Sequence, residues 1–309
     1  MKYRILSFLF LLASVTVLAQ TKISGHIYDE SNEPIAYANV YFQGTSIGTI
    51  TDENGTYYLE DDGNHDTVVF SFISYVTQTV PLKQKVTYDF DIVLIQEIVG
   101  KDPAGIQAVA KIIDELNRLG SKWDYYVSNP TKSPSAKMSE RYGFLWKTSK
   151  ISVKGKPYLD LELENLCYRE PYIGNFTLKN QSKTITLVNY HSRKYDDSPE
   201  EEIIHLKNYK ERLESESIII AGDFNLDEQQ PVWDNFYSRG FLNALENTPT
   251  TLKTKCKSGN YLNHSIDNIY YTPKIKVIES GSLDFVKTCD NLSEARNLSD
   301  HLPVYIRFQ

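Results

Sequence analysis

The sequence of 309 residues predicts two domains. A small all-β sandwich comes first, and a larger α/β (α+β) domain follows, in which a four-layered arrangement places helices on both sides of a β-sandwich. Short strands separated by turns about eight to twelve residues apart predict the small sandwich. Apolar strand-like runs alternating with amphipathic segments predict the larger domain. The 22 Tyr and 13 Phe residues favour β-structure in both.

The first residues predict export. Lys2 and Arg4 precede an apolar run over residues 5–17, which ends at Leu18 and Ala19. This pattern is typical of a secretory signal peptide, here residues 1–19, and the run is short for a membrane anchor. The mature protein is therefore expected in the periplasm, at the cell surface or secreted, without a stable membrane span. The net charge of -7 excludes a general basic surface for nucleic acid.

Residues 22–84 are predicted to form the small sandwich. Turn residues lie at 29–34, and Asn54-Gly55 supplies the positive φ of a tight hairpin turn. The stretches DESNEPIAYANVYFQGTSIGT, TDENGTYYL and FSFISY resemble the carboxypeptidase regulatory-like domain, a transthyretin-like sandwich. That resemblance implies a non-catalytic domain at the front of an exported protein.

Polar side chains follow five predicted strands in residues 88–309. The strand over 218–221 is followed by Gly222, and Asp223 and Asn225 come next. Because residues i and i+2 of an extended chain point the same way, Asp223 and Asn225 are expected side by side. The other four strand ends carry Glu97; His191; Asp267 with Asn268; and Asp300 with His301. Five such ends in one domain predict a shared pocket.

Carboxylate and amide oxygens suit a hard cation such as Mg²⁺, with Mn²⁺ or Ca²⁺ as alternatives. Two His residues add acid and base capacity near neutral pH. A hard cation beside His residues fits the hydrolysis of phosphate esters.

Six motifs occur in one order along this domain: DIVLIQE, SERYGFLW, LVNYHS, IIIAGDFN, IDNIYY and SDHLPV. Together they resemble the endonuclease/exonuclease/phosphatase superfamily and imply a deoxyribonuclease I-like fold over residues 88–309. The resemblance implies that Glu97 binds the metal and that Asp300 completes its shell. Asp267 would stabilise the phosphate or a second metal. Asp223 would orient or deprotonate the attacking water, and Asn225 would contact the phosphate.

The resemblance also implies roles for the two His residues. His301, partnered by an acidic residue, would act as general acid or base. His191 would face it across the scissile phosphate, with Glu140 holding its ring. Further phosphate contacts are expected from Arg141, Arg193 and Asn268, with a solvated surface position as the alternative for the two Arg residues.

One departure separates the chain from the family pattern. Family members begin this domain with a strand that carries a metal-contacting Asn, followed by a helix. Here no Asn lies between Gln78 and Gln96, so the first strand and helix are predicted to be missing. The favoured function is an exported metal-dependent phosphodiesterase, an endonuclease acting on DNA or RNA. The alternatives are a phosphomonoesterase or phospholipid phosphodiesterase of the same fold, and an inactive binding protein. The oligomeric state is left open.

The sequence contains three Cys residues, and an exported protein meets an oxidising compartment in which disulfides form. Cys256 and Cys289 each lie eleven residues before an acidic motif residue, Asp267 and Asp300. If those motifs converge, the two thiols can form a disulfide; two free thiols are the alternative. Cys167 is expected to be a buried, idle thiol.

Overall fold

A computed structural model describes residues 21–61, 63, 65–82, 90–135, 137–181 and 183–309. The predicted signal peptide lies outside these residues. The chain divides into two compact units, Met1–Tyr88 and Asp89–Gln309. None of the helices in the described part of the chain is both long and apolar enough to cross a bilayer.

The small unit is built from short antiparallel strands. They are β1 (Thr21–His26), β2 (Asn39–Phe42), β3 (Gly48–Ile50), β4 (Thr56–Asp61), β5 (Thr67–Ser71) and β6 (Gln78–Pro81). β1 pairs with β4, and a four-stranded sheet has the order β3-β2-β5-β6. Val40, Phe42, Leu59 and Val68 are its buried core. Gly55 has a φ of 73°, as the hairpin turn before β4 requires.

The larger unit contains most of the secondary structure. Its strands are β7 (Ile92–Val99), β8 (Trp123–Val127), β9 (Glu140–Lys147), β10 (Ile151–Leu159), β11 (Tyr172–Leu178), β12 (Lys183–His191), β13 (Ile218–Asp223), β14 (Leu242–Asn243), β15 (Leu252–Lys257), β16 (Asn260–Leu262), β17 (Asp267–Tyr271), β18 (Val277–Ser282) and β19 (Val304–Phe308). Its α-helices are α1 (Pro103–Arg118), α2 (Glu200–Ile203), α3 (Tyr209–Arg212), α4 (Asp234–Tyr237) and α5 (Leu292–Leu298).

Two sheets face each other across an apolar core, which confirms the predicted fold class. The six-stranded sheet has the order β10-β11-β12-β13-β17-β14, and the three-stranded sheet has the order β7-β9-β8. β12 and β13 are parallel, whereas the neighbouring pairs β11–β12 and β13–β17 are antiparallel. Phe144 and Trp146 of β9 pack against Leu187 and Ile219 of the other sheet. The pairs β15–β16 and β18–β19 complete the strands.

Helices cover the outer face of each sheet. α1 packs Val109 and Ile113 against Ile98 and Leu145 of the three-stranded sheet. The chain between β12 and β13, together with α4 and the 3₁₀ helix Pro231–Trp233 before it, covers the six-stranded sheet with Ile203, Leu206, Tyr209, Trp233 and Phe236. The order of layers is therefore helix, sheet, sheet, helix.

The amphipathic segment over residues 200–213 does not form one continuous helix. It divides into α2, a 3₁₀ helix at Ile204–Asn208 and α3. Ile203, Leu206 and Tyr209 are fully buried at intervals of three residues. A 3₁₀ turn has three residues, so side chains at this interval stay in line along the core-facing side, whereas an α-helix would shift each by about 60° around its axis.

Candidate active site

Three neighbouring strands of the six-stranded sheet bring the site together. His191 ends β12, Asp223 ends β13 and Asp267 begins β17. His191 is in register with Asp223 across the parallel pair, and Asp223 is in register with Asp267 across the antiparallel pair. The predicted convergence of these three strand ends follows directly from sheet order.

Asp223 lies at the centre and is 7% exposed. Burial, followed by the negative charge of Asp267, raises the pKa of Asp223 to about 6, although His191 and His301 act in the opposite direction. The expectation that Asn225 lies beside Asp223 on an extended chain is wrong. β13 ends at Asp223, and Asn225 has a left-handed φ of 52°. Its backbone N–H donates to Asp223 Oδ1 at 2.8 Å, so the two residues form a turn.

His191 belongs to a buried charged cluster. Its Nδ1 lies 3.0 Å from Glu140 Oε2, at the start of β9. Arg169 Nε lies 2.9 Å from the same carboxylate oxygen. Burial alone would lower the pKa of His191, but the hydrogen bond and charge of Glu140, then Asp223, raise it above its ordinary value. His191 Nε2 faces Asp223 Oδ2 at 3.6 Å.

His301 forms a second, more open pair. Its Nδ1 lies 2.8 Å from Asp267 Oδ2, and its Nε2 lies 4.0 Å from Asp223 Oδ2. Burial would lower the pKa of His301, but Asp267, through a hydrogen bond and its charge, and then Asp223 and Asp300 raise it to about 9. Near neutral pH the ring is therefore an imidazolium.

Glu97 reaches the site from the other sheet. β7 was expected to end at this carboxylate, but it continues to Val99 through a bulge between Ile95 and Ile98. Glu97 has a φ of 57° within the bulge, and a bulge re-aims the side chain at that position. Its carboxylate is 73% exposed and lies 3.8 Å from His191 Nδ1.

Four predicted residues lie outside this cluster. Arg141 donates to the backbone oxygens of Gly100 and Ser128. Arg193 contacts the buried Glu202 at 2.9 Å. Asn268 exchanges hydrogen bonds with the backbone of Leu245 and accepts one from the backbone N–H of Ile269. The Asp300 carboxylate is 61% exposed and lies 3.7 Å from Arg296.

Sequence reasoning missed two residues that hold the site in place. Arg169 supports Glu140, and no local motif marks it. The Gln96 amide bridges the sheets: its Nε2 donates to Asn189 Oδ1 and Tyr190 O, and its Oε1 accepts from the backbone N–H of Asp223. The position of Gln96 beside Glu97 in DIVLIQE was the available signal.

A disulfide joins two segments next to the one that carries His301. Cys256 and Cys289 are joined, with their Cα atoms 5.7 Å apart. The bond links β15 to the segment before α5, and Leu252 of β15 donates its backbone N–H to Asp300 O at 2.7 Å. Cys167 is free and buried.

The donor set fits a hard divalent cation. Two groups have ligand atoms that all lie within 4.8 Å of one another: Glu97, Glu140 and His191, and Asp223, Asp267 and His301. The pKa of Asp223 is raised by burial and by Asp267, so negative charge is concentrated there. A cation would offset that repulsion, and the carboxylate oxygens are ligands that Mg²⁺ accepts.

Solved structures share this fold. The mannosyl-6-phosphatase of Bacteroides thetaiotaomicron VPI-5482 superposes with a TM-score of 0.50 and 16% identity, covering 71% of this chain and 85% of that one. An endonuclease/exonuclease/phosphatase from Bacteroides vulgatus has a TM-score of 0.50 and 15% identity, with 71% and 84% covered. At these identities the likeness concerns the fold alone.

Sequence relatives of two kinds match the chain. Deoxyribonuclease-1-like 1 of Sus scrofa is 27% identical over 232 residues, which is 70% of this chain and 70% of that protein. The match to the Cricetulus griseus protein of the same name covers 45% of its length. TonB-dependent receptor P39 of Formosa agariphila is 38% identical over 71 residues, 23% of this chain and 7% of the receptor.

Fold and site together define a phosphoesterase. The model of the Endonuclease/Exonuclease/phosphatase family matches residues 63–301, and the chain belongs to that family. The CarboxypepD_reg-like domain matches residues 23–100, as the small unit's sequence predicts. The match to the Endonuclease/Exonuclease/phosphatase family begins at residue 63, inside the small unit. It therefore includes β5 and β6, which belong to the four-stranded sheet of that unit.

Proposed function

We propose that the chain is an exported, divalent-metal-dependent phosphodiesterase that cuts nucleic acid as an endonuclease. The observation that supports this most strongly is the arrangement around Asp223. The Nε2 atoms of His191 and His301 lie 3.6 and 4.0 Å from its Oδ2, and each ring holds its own carboxylate through Nδ1. Two proton donors thus flank one buried carboxylate.

The protonation states suit hydrolysis near neutral pH. Asp223, with its pKa raised to about 6, is a base matched to that range. It takes a proton from the water that attacks phosphorus. As the P–O bond to the leaving group breaks, an imidazolium group returns a proton to the leaving oxygen. Both rings also stabilise the charge on the phosphate oxygens.

The oxygen donors Glu97, Asp267 and Asp300 are the residues we assign to a cation. When bound, a divalent ion neutralises the phosphate and favours attack by water. Glu97 is suited to this because its carboxylate is largely open to solvent. Asp300 requires a change of partner, since it faces Arg296.

Two comparisons support the substrate and the location. The Sus scrofa and Thioalkalivibrio relatives are named deoxyribonucleases, which favours DNA as the first substrate to test. The basic and apolar start of the chain and the likeness to TonB-dependent receptors favour export.

Nicking of supercoiled plasmid with Mg²⁺ or with EDTA tests the proposal. We expect nicking that EDTA abolishes and that His301→Ala reduces by at least about 100-fold, the size of a lost acid–base group. His205→Ala is the matched control, because His205 lies in the 3₁₀ helix outside the site. Folded wild-type protein without nicking would overturn the nuclease proposal. Phosphate monoesters and phospholipids would then test the other phosphoesterase activities, and no turnover of any would indicate a binding protein.

A further inference from the structure

An apolar groove of about 490 Å³ runs through the larger unit to the active site. β7 forms one wall and β19 the other, and the six-stranded sheet forms the floor. We call it the β7–β19 groove, and its defining residues are Ile92, Leu94, Ile219, Ile269, Val304 and Ile306. Among the described strands, β7 pairs with β9 and β19 pairs with β18, so each wall is the edge strand of its sheet.

The backbone of β7 directs polar groups into the groove. Lys147 N–H donates to Asp91 O at 2.9 Å, which makes these two residues a hydrogen-bonded pair at the start of the β7–β9 ladder. Hydrogen-bonded and non-hydrogen-bonded pairs alternate along antiparallel strands. The backbone N–H and C=O groups of Ile92 and Leu94 therefore point away from β9.

β19 has the same arrangement on the opposite wall. Leu283 N–H donates to Pro303 O at 2.7 Å, just before the β18–β19 ladder. By the same alternation, the backbone groups of Val304 and Ile306 point away from β18. The hydrogen bonds and ladders of the described residues give these groups no partner on the groove side.

We propose that the β7–β19 groove binds an extended segment of a partner polypeptide, which pairs with both edges as an added β-strand. A lipid or other purely apolar ligand would cover the floor but leave the backbone groups of both walls unpaired, at a cost. An added strand satisfies both rows and packs its alternate side chains on the apolar floor.

The two ends of the groove define the chemistry of the partner segment. Phe90 and Tyr305 approach with ring centroids 6.3 Å apart at the end near the start of β7. The opposite end opens on the carboxylates of Glu97, Asp223, Asp267 and Asp300 and on the ring of His301, so acidic groups outnumber basic ones there. Charge complementarity therefore favours an amide or basic side chain at the site end of the segment, and it disfavours a carboxylate there.

Hydrogen exchange on the full, metal-free chain tests the proposal independently of catalysis. The probe is a peptide of alternating Thr and Val that ends in Asn and has an amidated C-terminus, which removes the terminal carboxylate. The amides of Ile92, Leu94, Val304 and Ile306 should exchange rapidly in the free protein. With the peptide at 100 times its Kd, they should exchange about a hundredfold more slowly. The same peptide with a terminal Glu should bind more weakly, and added salt should reduce the difference.

A peptide methylated at its backbone nitrogens is the matched control for strand pairing. It keeps every side chain and loses the backbone donors, so binding should disappear. Leu94→Pro removes one groove-facing N–H without removing a bond to β9, and we expect at least tenfold weaker peptide binding; Leu94→Val should bind as wild type.

Four outcomes would overturn the proposal. Slow exchange of the four amides in a free monomer would mean that the chain covers its own edges. Slow exchange that depends on protein concentration, with a dimer in light scattering, would identify a second copy as the occupant. Equal binding of the methylated peptide, or binding of decyl phosphate without binding of the peptide, would indicate an apolar ligand pocket.

Discussion

The two His–carboxylate pairs at Asp223 have the same chemistry and different construction. His191 and Glu140 both lie on strands, and their side chains are 8% and 9% exposed. His301 lies between α5 and β19, and its side chain is 31% exposed, against 12% for Asp267. The first pair is part of the core of the sandwich, and the second forms the open side of the site.

Because of this difference, the buried pair contributes to folding, and the open pair lies where substrate reaches the site. The register of β12 and the position of β9 fix the buried pair, and Arg169 adds a third charge. The open pair depends on tertiary contacts, such as the backbone bond from Leu302 N–H to Thr250 O at 2.6 Å. We therefore expect loss of the buried pair to impair both stability and catalysis, and loss of the open pair to impair mainly catalysis.

The largest expected effect is at Asp223, which both pairs share. Asp223→Asn removes the proposed base and should lower the nicking rate by about 10³-fold or more. The unfolding midpoint in EDTA should be unchanged or higher, because a buried carboxylate that faces Asp267 is neutralised. Asp227→Asn, in the following loop, is the control and should keep most activity. An active Asp223→Asn enzyme would exclude Asp223 as the base.

The next effect compares the pairs directly. His191→Gln and His301→Gln should each lower nicking by about 100-fold or more. His191→Gln removes the ring that pairs with the buried Glu140, leaves Arg169 as its remaining charged partner, and should cost about 2–3 kcal/mol of unfolding free energy. His301→Gln should cost less than about 1 kcal/mol, because its pair is partly exposed. Urea unfolding measures both, and equal losses would contradict the comparison.

The site residues whose positions depend on the order of the strands could be predicted from the sequence. His191, Asp223 and Asp267 meet because buried apolar runs identify β12, β13 and β17, and polar residues at neighbouring strand ends converge. Asn225 was misplaced because the chain turns immediately after Asp223. Arg169 was missed because it reaches Glu140 from a loop distant in sequence, and no periodic pattern encodes such a contact.

A smaller effect is expected at Arg169. Arg169→Met should lower activity by about 10- to 100-fold, the usual effect of losing a supporting partner of a site residue. The positive charge of Arg169 lowers the pKa of His191, so its removal should raise that pKa further. NMR titration of the His191 ring measures this, with Arg141→Met as the control, since Arg141 bonds to backbone oxygens elsewhere. An unchanged His191 titration would show that Arg169 does not act on this pair.

The smallest effect concerns pH and the open pair. The pKa of His301 in the folded chain is about 9, above its ordinary value of 6.5. The folded state therefore holds the proton more tightly, and the resulting stability is present below pH 6.5 and lost as pH rises through 9. In EDTA, wild type should be more stable than His301→Gln at about pH 6.5, by no more than about 1 kcal/mol for a partly exposed pair, and the advantage should vanish by about pH 10. Asp223, with its pKa raised to about 6, is largely ionised by about pH 7, so it contributes little to the change between about pH 7 and 10. An advantage that persists at about pH 10 would show that the His301 ring stabilises the chain by packing, and the open pair would then resemble the buried one.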